Sequence, residues 1–394
     1  MATRSVEELD LRGRRVFLRV DFNVPLDATG RIQDDARIRA ALPTICLALE
    51  RGARLIVASH LGRPKGPTPS ASLRPVAARL SELVDRPVPL APDCIGPTVS
   101  DQIRALEPGD LLMLENLRFH PEEEANDPTF AKALAALADV FVNDAFGAAH
   151  RAHASTYGIA QHLPSAAGLL MKRELEVLAR LFERPERPLL AIIGGAKVSE
   201  KLKLLTHLLG RVDHLLIGGG MAFTFHLAQG YRVGRSLAEP DLVGSAREVF
   251  TQARARGVQM HLPVDCVVAD QPDARVAPEV VRVDQIPADR MGLDIGPETV
   301  GRFIEVIRVA KMIVWNGPLG VFEYPAFAQG TLRVARAVAE SSAFSVLGGG
   351  DTAAAVQRAE VADKIGYISS GGGAFLEYLE GRELPGVVVL EQTS

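Results

Sequence analysis

The stretch Leu189-Leu-Ala-Ile-Ile-Gly-Gly-Ala-Lys-Val-Ser199 joins a short apolar run to a glycine pair and then to a segment of helical character. An apolar run that ends in glycine and leads into a helix is typical of a strand–turn–helix unit in an α/β fold. Three more glycine clusters follow apolar runs in the same half of the chain, at 218–220, 348–350 and 371–373. We expect these turns to lie along one edge of a parallel sheet.

Short apolar runs alternate with longer helix-patterned segments over the whole chain. The predicted strands are 15–20, 54–59, 110–114, 140–143, 189–193, 214–217, 259–263, 311–314 and 343–347. Near the middle, the two prolines of Glu183-Arg-Pro-Glu-Arg-Pro188 end a helical stretch. We therefore predict an α/β fold with two doubly wound parallel-sheet (Rossmann-like) domains joined by a hinge helix.

The composition of the 394 residues is that of a globular protein, with 47% hydrophobic and 23% charged residues. Its 44 basic and 48 acidic side chains give a net charge of −4. This balance predicts no general attraction to nucleic acid or to a membrane surface. Acidic residues at 7, 8 and 10 stand where a signal peptide needs an apolar core, so we expect a cytoplasmic protein.

The three cysteines, Cys46, Cys94 and Cys266, are too few and too scattered for a disulfide framework. None belongs to a CxxC pair, which argues against a zinc site built on thiolates.

The glycine-rich half carries groups that suit a polyphosphate. Lys197 and Lys201 follow the first glycine turn, and we place the start of a helix at Ser199 between them. Glycine turns let backbone N–H groups approach an anion, and two ammonium groups balance its charge. Asp351 follows Gly350 and offers a hard oxygen ligand for Mg²⁺. A role for Asp351 as a simple helix N-cap is an equally good interpretation at this point.

Basic side chains of the first half follow predicted strands instead of covering helix surfaces. Any one of these residues taken alone is best interpreted as an ordinary solvated surface charge. Together they indicate more, because the ends of parallel strands converge on one edge of the sheet. We therefore expect a pocket for a small anionic ligand, formed by basic residues at strand ends and in loops: Arg19, Arg37, His60, Arg63, Arg118 and Arg151. His150 and His153 make only a weak metal site, because no third ligand has suitable spacing.

A cationic pocket in one domain and a glycine-rich phosphate site in the other are what a small-molecule kinase needs. GxxxxGK[ST], HRD and DFG motifs are absent, which excludes P-loop NTPases and protein kinases. Gly348-x-Gly350-x-x-Ala353 matches a dinucleotide fingerprint and leaves an NAD-dependent dehydrogenase as a rival hypothesis. A phosphometabolite-binding protein without catalysis is the second rival.

The chain resembles the phosphoglycerate kinase family over nearly its whole length. The segments that carry the resemblance are 19–25, 34–38, 59–64, 115–119, 143–153, 194–198, 218–223, 293–297, 314–323, 348–352 and 371–374. The resemblance implies reversible Mg²⁺-dependent phosphoryl transfer between 1,3-bisphosphoglycerate plus ADP and 3-phosphoglycerate plus ATP, in a monomer. The attacking group is then a carboxylate of the substrate.

The resemblance also implies a division of the chain and a role for each matching residue. Residues 1–170 bind 3-phosphoglycerate, 171–187 form the hinge helix, 188–374 bind the nucleotide and 375–394 pack back on the first domain. The implied catalytic residues are Arg37, Lys197 and Lys201. The implied substrate-binding residues are Asp21, Asn23, Arg37, His60, Arg63, Arg118 and Arg151. The implied nucleotide-binding residues are Lys201, Gly292, Glu323, Gly349, Gly350, Asp351 and Thr352, with Asp351 as the Mg²⁺ ligand.

The chain departs from the family pattern around its last glycine turn. Gly366-Tyr367 stands where the family has Ser-His, and Phe375 follows Ala374. These departures concern domain closure more than the chemistry of transfer.

Overall fold

A computed structural model describes residues 3–273 and 277–392. The chain divides into two compact units: unit 1 comprises Met1–Glu176 and Glu383–Ser394, and unit 2 comprises Val177–Arg382. Both units are α/β, in agreement with the predicted fold class. Within the described residues, no helix is both long enough and apolar enough to cross a membrane.

Unit 1 is built on a five-stranded parallel sheet with strand order β3-β2-β1-β4-β5. Its strands are β1 (Arg15–Arg19), β2 (Arg54–Ala58), β3 (Leu111–Met113), β4 (Val140–Asn143) and β5 (Ser165–Ala167). Its helices are α1 (Ala36–Glu50), α2 (Arg74–Val84), α3 (Pro97–Arg104), α4 (Pro121–Glu124) and α5 (Pro128–Ala135). α6 (Leu169–Phe182) continues from unit 1 into unit 2, and α14 (Pro385–Gln392) belongs to unit 1.

The strands of unit 1 are buried on both faces, so their interiors are continuous apolar runs instead of alternating, with polar residues such as Arg19 and Asn143 at their ends. Apolar side chains of β1, β2 and β4 form one core with α1 and α2. α5 begins as its sequence predicts: the Asp127 carboxylate accepts from the amides of Thr129 and Phe130, and Pro128 occupies the first turn.

Unit 2 contains a six-stranded parallel sheet with strand order β14-β13-β12-β6-β7-β8. These strands are β6 (Leu189–Ile193), β7 (His214–Ile217), β8 (Gln259–His261), β12 (Met312–Asn316), β13 (Phe344–Gly348) and β14 (Tyr367–Ile368). The helices are α7 (Leu202–Leu208), α8 (Met221–Ala228), α9 (Val243–Ala255), α10 (Pro297–Val309), α11 (Gln329–Glu340), α12 (Gly350–Arg358) and α13 (Gly373–Leu379).

A second sheet of unit 2 is antiparallel, and the sequence pattern did not predict it. It pairs β9 (Asp265–Ala269) with β10 (Glu279–Arg282) and β11 (Met291–Ile295). Its strands carry charged residues and a glycine among their apolar residues, so they lack the continuous apolar runs that mark the buried parallel strands.

The predicted helix from Ser199 begins later than expected, because Ser199 has another partner. Its amide and hydroxyl donate to the Glu239 carboxylate at 2.9 and 2.6 Å. α7 starts at Leu202 with Lys201 as its N-cap residue. The prediction that Ser199 opens the helix was therefore wrong, and Lys197 lies in the loop before it.

Candidate functional site

The first candidate site lies at the carboxyl ends of the central strands of unit 1. The strand order changes direction between β1 and β4, and a crevice at such a switch point is where parallel α/β sheets bind ligands. Asp21 follows β1, and His60 follows β2. This topology brings together residues that are far apart in the sequence.

Asp21, Arg37 and His60 form an electrostatically coupled group. Arg37 Nη1 lies 3.0 Å from both carboxylate oxygens of Asp21, and His60 Nε2 lies 4.0 Å from Oδ1. Burial raises the pKa of Asp21, but the charges of His60, Arg37 and Arg19 outweigh it and lower the pKa. Burial, with these and other arginines nearby, holds the pKa of His60 well below its ordinary value. His60 is therefore neutral at pH 7.

Arg19 fixes the tautomer of His60. The fully buried Arg19 guanidinium places Nη2 3.1 Å from His60 Nδ1, and a guanidinium can only donate. Nδ1 must therefore accept, so the proton of the neutral ring is on Nε2, the atom nearest Asp21. Arg19 also donates to the Ser155 hydroxyl at 2.7 Å and lies 3.9 Å from Glu123, a fully buried carboxylate.

The other predicted cationic residues gather around the same group. Arg118 donates to the Gly62 carbonyl at 2.7 Å and pairs with Glu124 at 3.1 Å. Burial lowers the pKa of Arg118, and the charges of Arg151 and Arg63 lower it further. Arg63 is exposed and forms no hydrogen bond or ion pair within the described residues. A guanidinium with that freedom is available to an anion from solution.

Asn23 closes this end of unit 1. Its side-chain oxygen accepts from the Gly62 amide at 2.8 Å, and its own amide donates to Asp21 at 3.1 Å. The structure thus couples Asp21, Asn23, Arg37, His60 and Arg118 through contacts, with Arg63 and Arg151 near enough to act by charge.

The second candidate site is a cavity of about 480 Å³ in unit 2. The direction of the strand order changes between β6 and β12, and the turns after both strands are glycine-rich. A Cβ at Gly194 would overlap the carbonyl oxygens of Gly317 and Pro318, so the two turns approach more closely than side chains allow. Gly292, Glu323 and Asp351, three of the predicted nucleotide residues, line the cavity.

The remaining predicted nucleotide residues lie beside this cavity without lining it. Lys201 Nζ donates to the Asn316 side-chain oxygen at 2.5 Å. Burial lowers the pKa of Lys201, while the charges of Glu200, Glu380 and Asp351 oppose that shift. The Thr352 hydroxyl is already engaged, accepting from the Gly317 amide at 2.8 Å and donating to the Gly348 carbonyl at 3.0 Å.

The other predicted residues of unit 2 differ in exposure. Lys197 is exposed and follows Ala196, which lines the cavity. Gly349 has φ +97°, a conformation that favours glycine, and it caps the N-terminus of α12, whose first residue is Gly350. This terminus presents backbone N–H groups of the kind that bind phosphate.

Two residues important to these sites, Asn316 and Asp294, were missed by the sequence analysis, and the supporting role of Arg19 was not predicted. Arg19 supports His60, Asn316 holds Lys201, and Asp294 lines the cavity with a 4% exposed side chain. Burial raises the pKa of Asp294 to about 7, although it accepts from the amides of Gly330 and Ile295. A polar residue at or just beyond the end of a predicted apolar strand was the available signal for Arg19 and Asn316. The strand that contains Asp294 was not predicted, so no such signal marked that residue.

The residues of unit 2 fit a Mg²⁺ ion. Asp351 is exposed at the first turn of α12, lines the cavity and makes no hydrogen bond or ion pair within the described residues. One free carboxylate combined with phosphate oxygens of a substrate is a usual Mg²⁺ ligand set.

Comparison with known proteins identifies the family. The model of the family described as phosphoglycerate kinase matches residues 6–382. The phosphoglycerate kinase of Moorella thermoacetica is 56% identical over 393 residues, covering 100% of both chains. That of Pelotomaculum thermopropionicum is 54% identical over 391 residues, covering 99% of each.

Solved structures agree with this result. The phosphoglycerate kinase structure from Coxiella burnetii has a TM-score of 0.92 at 43% identity, and that from Pyrococcus horikoshii has 0.85 at 35%. Each comparison covers 99% of both chains. The chain is therefore an enzyme of the phosphoglycerate kinase family.

Proposed function

We propose that this enzyme catalyses the reversible, Mg²⁺-dependent transfer of a phosphoryl group between 1,3-bisphosphoglycerate plus ADP and 3-phosphoglycerate plus ATP. The observation that carries the proposal is the electrostatically coupled group around Asp21 and Arg37, at the carboxyl ends of the unit 1 strands. Arginine and neutral histidine side chains there suit a small substrate that carries both a phosphate and a carboxylate. The cavity of unit 2 suits the nucleotide.

In the direction of ATP use, a carboxylate oxygen of 3-phosphoglycerate attacks the terminal phosphorus, and the bond to the ADP oxygen breaks. The attacking group is already ionised, so the protein supplies no general base. Its task is to position both substrates and to balance the charge of the migrating group. We assign that charge balance to Arg37, Lys197 and Lys201.

The proposed nucleotide-binding residues contact different parts of ATP or ADP. Gly292 borders the adenine and Glu323 binds the ribose, while Gly349, Gly350 and Thr352 adjoin the phosphates at the α12 terminus. Asp351 would hold Mg²⁺, which would neutralise charge on the phosphates. We propose that closure about the hinge helix brings the reacting groups together and excludes water. A cytoplasmic monomer without nucleic-acid or membrane partners remains our prediction.

The test is ADP release from 3-phosphoglycerate, ATP and Mg²⁺, with each component omitted in turn and the product removed by a coupled step. We expect Arg37→Ala to lower kcat about 10²–10³-fold, because it removes a charge that acts on the transferred group. Arg39→Ala is the matched control: it lies on the same helix, is exposed and pairs with Asp35 at 2.9 Å. Its kcat should stay within about two-fold of the wild type.

Two outcomes would contradict the proposal in different ways. Absence of turnover by folded protein that binds ATP would indicate a binding protein. Turnover that survives Arg37→Ala would keep the reaction and remove Arg37 from its transition state.

A further inference from the structure

A cluster of three metal-ligating side chains lies in unit 1 outside the candidate substrate site. His120 Nε2, an Asp93 carboxylate oxygen and Cys94 Sγ all lie within 4.8 Å of one another. Cys94 and His120 are 26 positions apart in the sequence. No short metal-binding sequence motif therefore contains both of them.

Hydrogen bonds to β3 hold the backbone around the cluster in place. The segment before Asp93 pairs with β3, through the Ala91 amide to the Met113 carbonyl at 2.8 Å and the Met113 amide to the Pro89 carbonyl at 2.9 Å. Cys94 Sγ donates to the Glu115 carbonyl at 3.0 Å, just after β3. The Asp93–Cys94 pair is therefore held beside the end of β3, the edge strand of the sheet.

His120 is held with one nitrogen toward the same point. Its ring stacks on Phe130 with centroids 5.0 Å apart, and its Nε2 lies 2.6 Å from Asp93 Oδ1. The Asp93 and His120 side chains are 46% and 24% exposed. An ion can therefore reach the cluster from solution, although the thiol itself is buried.

The charge around the thiol favours a cation and disfavours reactive-cysteine chemistry. The Cys94 thiol is buried, and the carboxylates of Asp93, Glu123 and Glu115 lie near enough to act on it by charge. A thiol in such surroundings is a poor nucleophile. The same negative surroundings attract a divalent ion, which stabilises the thiolate directly.

We propose that Asp93, Cys94 and His120 form a binding site for a borderline divalent cation of the Zn²⁺ class, with water as the fourth ligand. Thiolate and imidazole ligands select Zn²⁺ or Co²⁺ over Mg²⁺. Zn–S, Zn–N and Zn–O bonds of about 2.0–2.3 Å require ligand atoms roughly 3.3–3.7 Å apart in a tetrahedron. The thiol then approaches by about 1 Å at most, while the Asp93–His120 contact widens.

Binding exchanges protons for metal. The Cys94 thiol loses its proton to solvent, the proton on His120 Nε2 moves to Nδ1 by exchange with water, and no redox step is involved. A bound ion connects the segment before α3 to the residue that precedes α4. We therefore expect it to stabilise unit 1 against unfolding.

The test is titration of chelator-treated full-length protein with Co²⁺ in buffer containing excess Mg²⁺, which occupies sites made only of oxygen ligands. We expect one equivalent of Co²⁺ to produce a thiolate-to-cobalt charge-transfer band and Zn²⁺ to abolish it. Zn²⁺ should also raise the Tm. Cys94→Ser should remove the band, and His120→Gln should weaken binding at least about 10-fold.

Cys266→Ser is the matched control, because Cys266 is also a free, buried cysteine and lies in unit 2. Its variant should keep the band. A wild type without the band, or a band that survives Cys94→Ser, would overturn the proposal. If Cys94→Ser fails to fold, the comparison of His120→Gln with the wild type decides it: unchanged Co²⁺ affinity refutes the site.

Discussion

The two candidate sites both lie at a switch point of a parallel sheet, but one is formed mainly by charged side chains and the other by closely approaching backbone turns. In unit 1 the site consists of charged side chains, and a buried arginine and a buried glutamate lie beneath them. In unit 2 the close approach of two turns is made by backbone, and glycine at 194 and 317 permits it. A small, highly charged substrate and a large nucleotide require different kinds of recognition.

This difference predicts two kinds of sensitivity. Unit 1 should respond to loss of charge at its surface, because each guanidinium contributes its own hydrogen bonds to an anion. Unit 2 should respond to added volume, because several glycines line its cavity and a side chain at any of them would take up space. Substrate-specific kinetics separate the two.

Among effects on substrate binding, the largest is expected for Arg63→Ala in unit 1. Removing a charge-assisted hydrogen bond costs about 1.5–3 kcal/mol, so the KM for 3-phosphoglycerate should rise about 10–100-fold. The KM for ATP should not change, since Arg63 belongs to unit 1 alone. Lys65→Ala, at another exposed cation of the same loop, is the control. Equal increases in both KM values would break the proposed division between the units.

A smaller effect of opposite selectivity is expected for Gly292→Ala in unit 2. The added Cβ would overlap the ring of Phe223, a 6% exposed core residue, and displace it toward the cavity. Such overpacking costs about 1–3 kcal/mol. ATP binding has to push the displaced ring back against that strain, so the KM for ATP should rise about 10-fold while that for 3-phosphoglycerate stays constant.

Gly301→Ala is the control for that variant, because nothing lies within 4 Å of its added Cβ. Thermal unfolding of both variants checks that the fold is kept. An unchanged KM for ATP in folded Gly292→Ala would mean that the adenine binds elsewhere.

The last effect changes neither KM and concerns stability and pH. Burial raises the pKa of Asp294 from 3.8 to about 7, so the folded state holds a proton that the unfolded chain has lost. This contribution to stability is complete below pH 3.8 and disappears as the pH rises through about 7. The free energy of unfolding should therefore fall in this range, by up to about 1 kcal/mol per pH unit from this group.

Asp294→Asn should remove that part of the slope, because the amide does not titrate. Urea unfolding at a series of pH values measures it, with the exposed Asp289→Asn as control. A slope equal to that of the wild type would show that the Asp294 carboxyl stays ionised when folded.

The sequence alone determined the parallel α/β class, most strands of the two parallel sheets and the residue types at their ends. Buried parallel strands need continuous apolar runs, and the turns after them need glycine wherever another backbone approaches closely. The antiparallel sheet was not predicted from the sequence, because its strands carry charged residues and glycine among their apolar residues.

Only the tertiary structure decided what each polar group does. Arg19 reads as one more basic residue at a strand end, but burial beside His60 makes it the group that sets the histidine tautomer. The sequence predicts a helix start at Ser199, but its amide and hydroxyl instead donate to Glu239, 40 positions away. Cys94 and His120 become a metal-ligand pair only when β3 brings their loops together. Burial and partners distant in the chain determine how a polar group ionises and which hydrogen bonds it forms. Neither the burial nor the distant partners can be predicted from the neighbouring residues in the sequence.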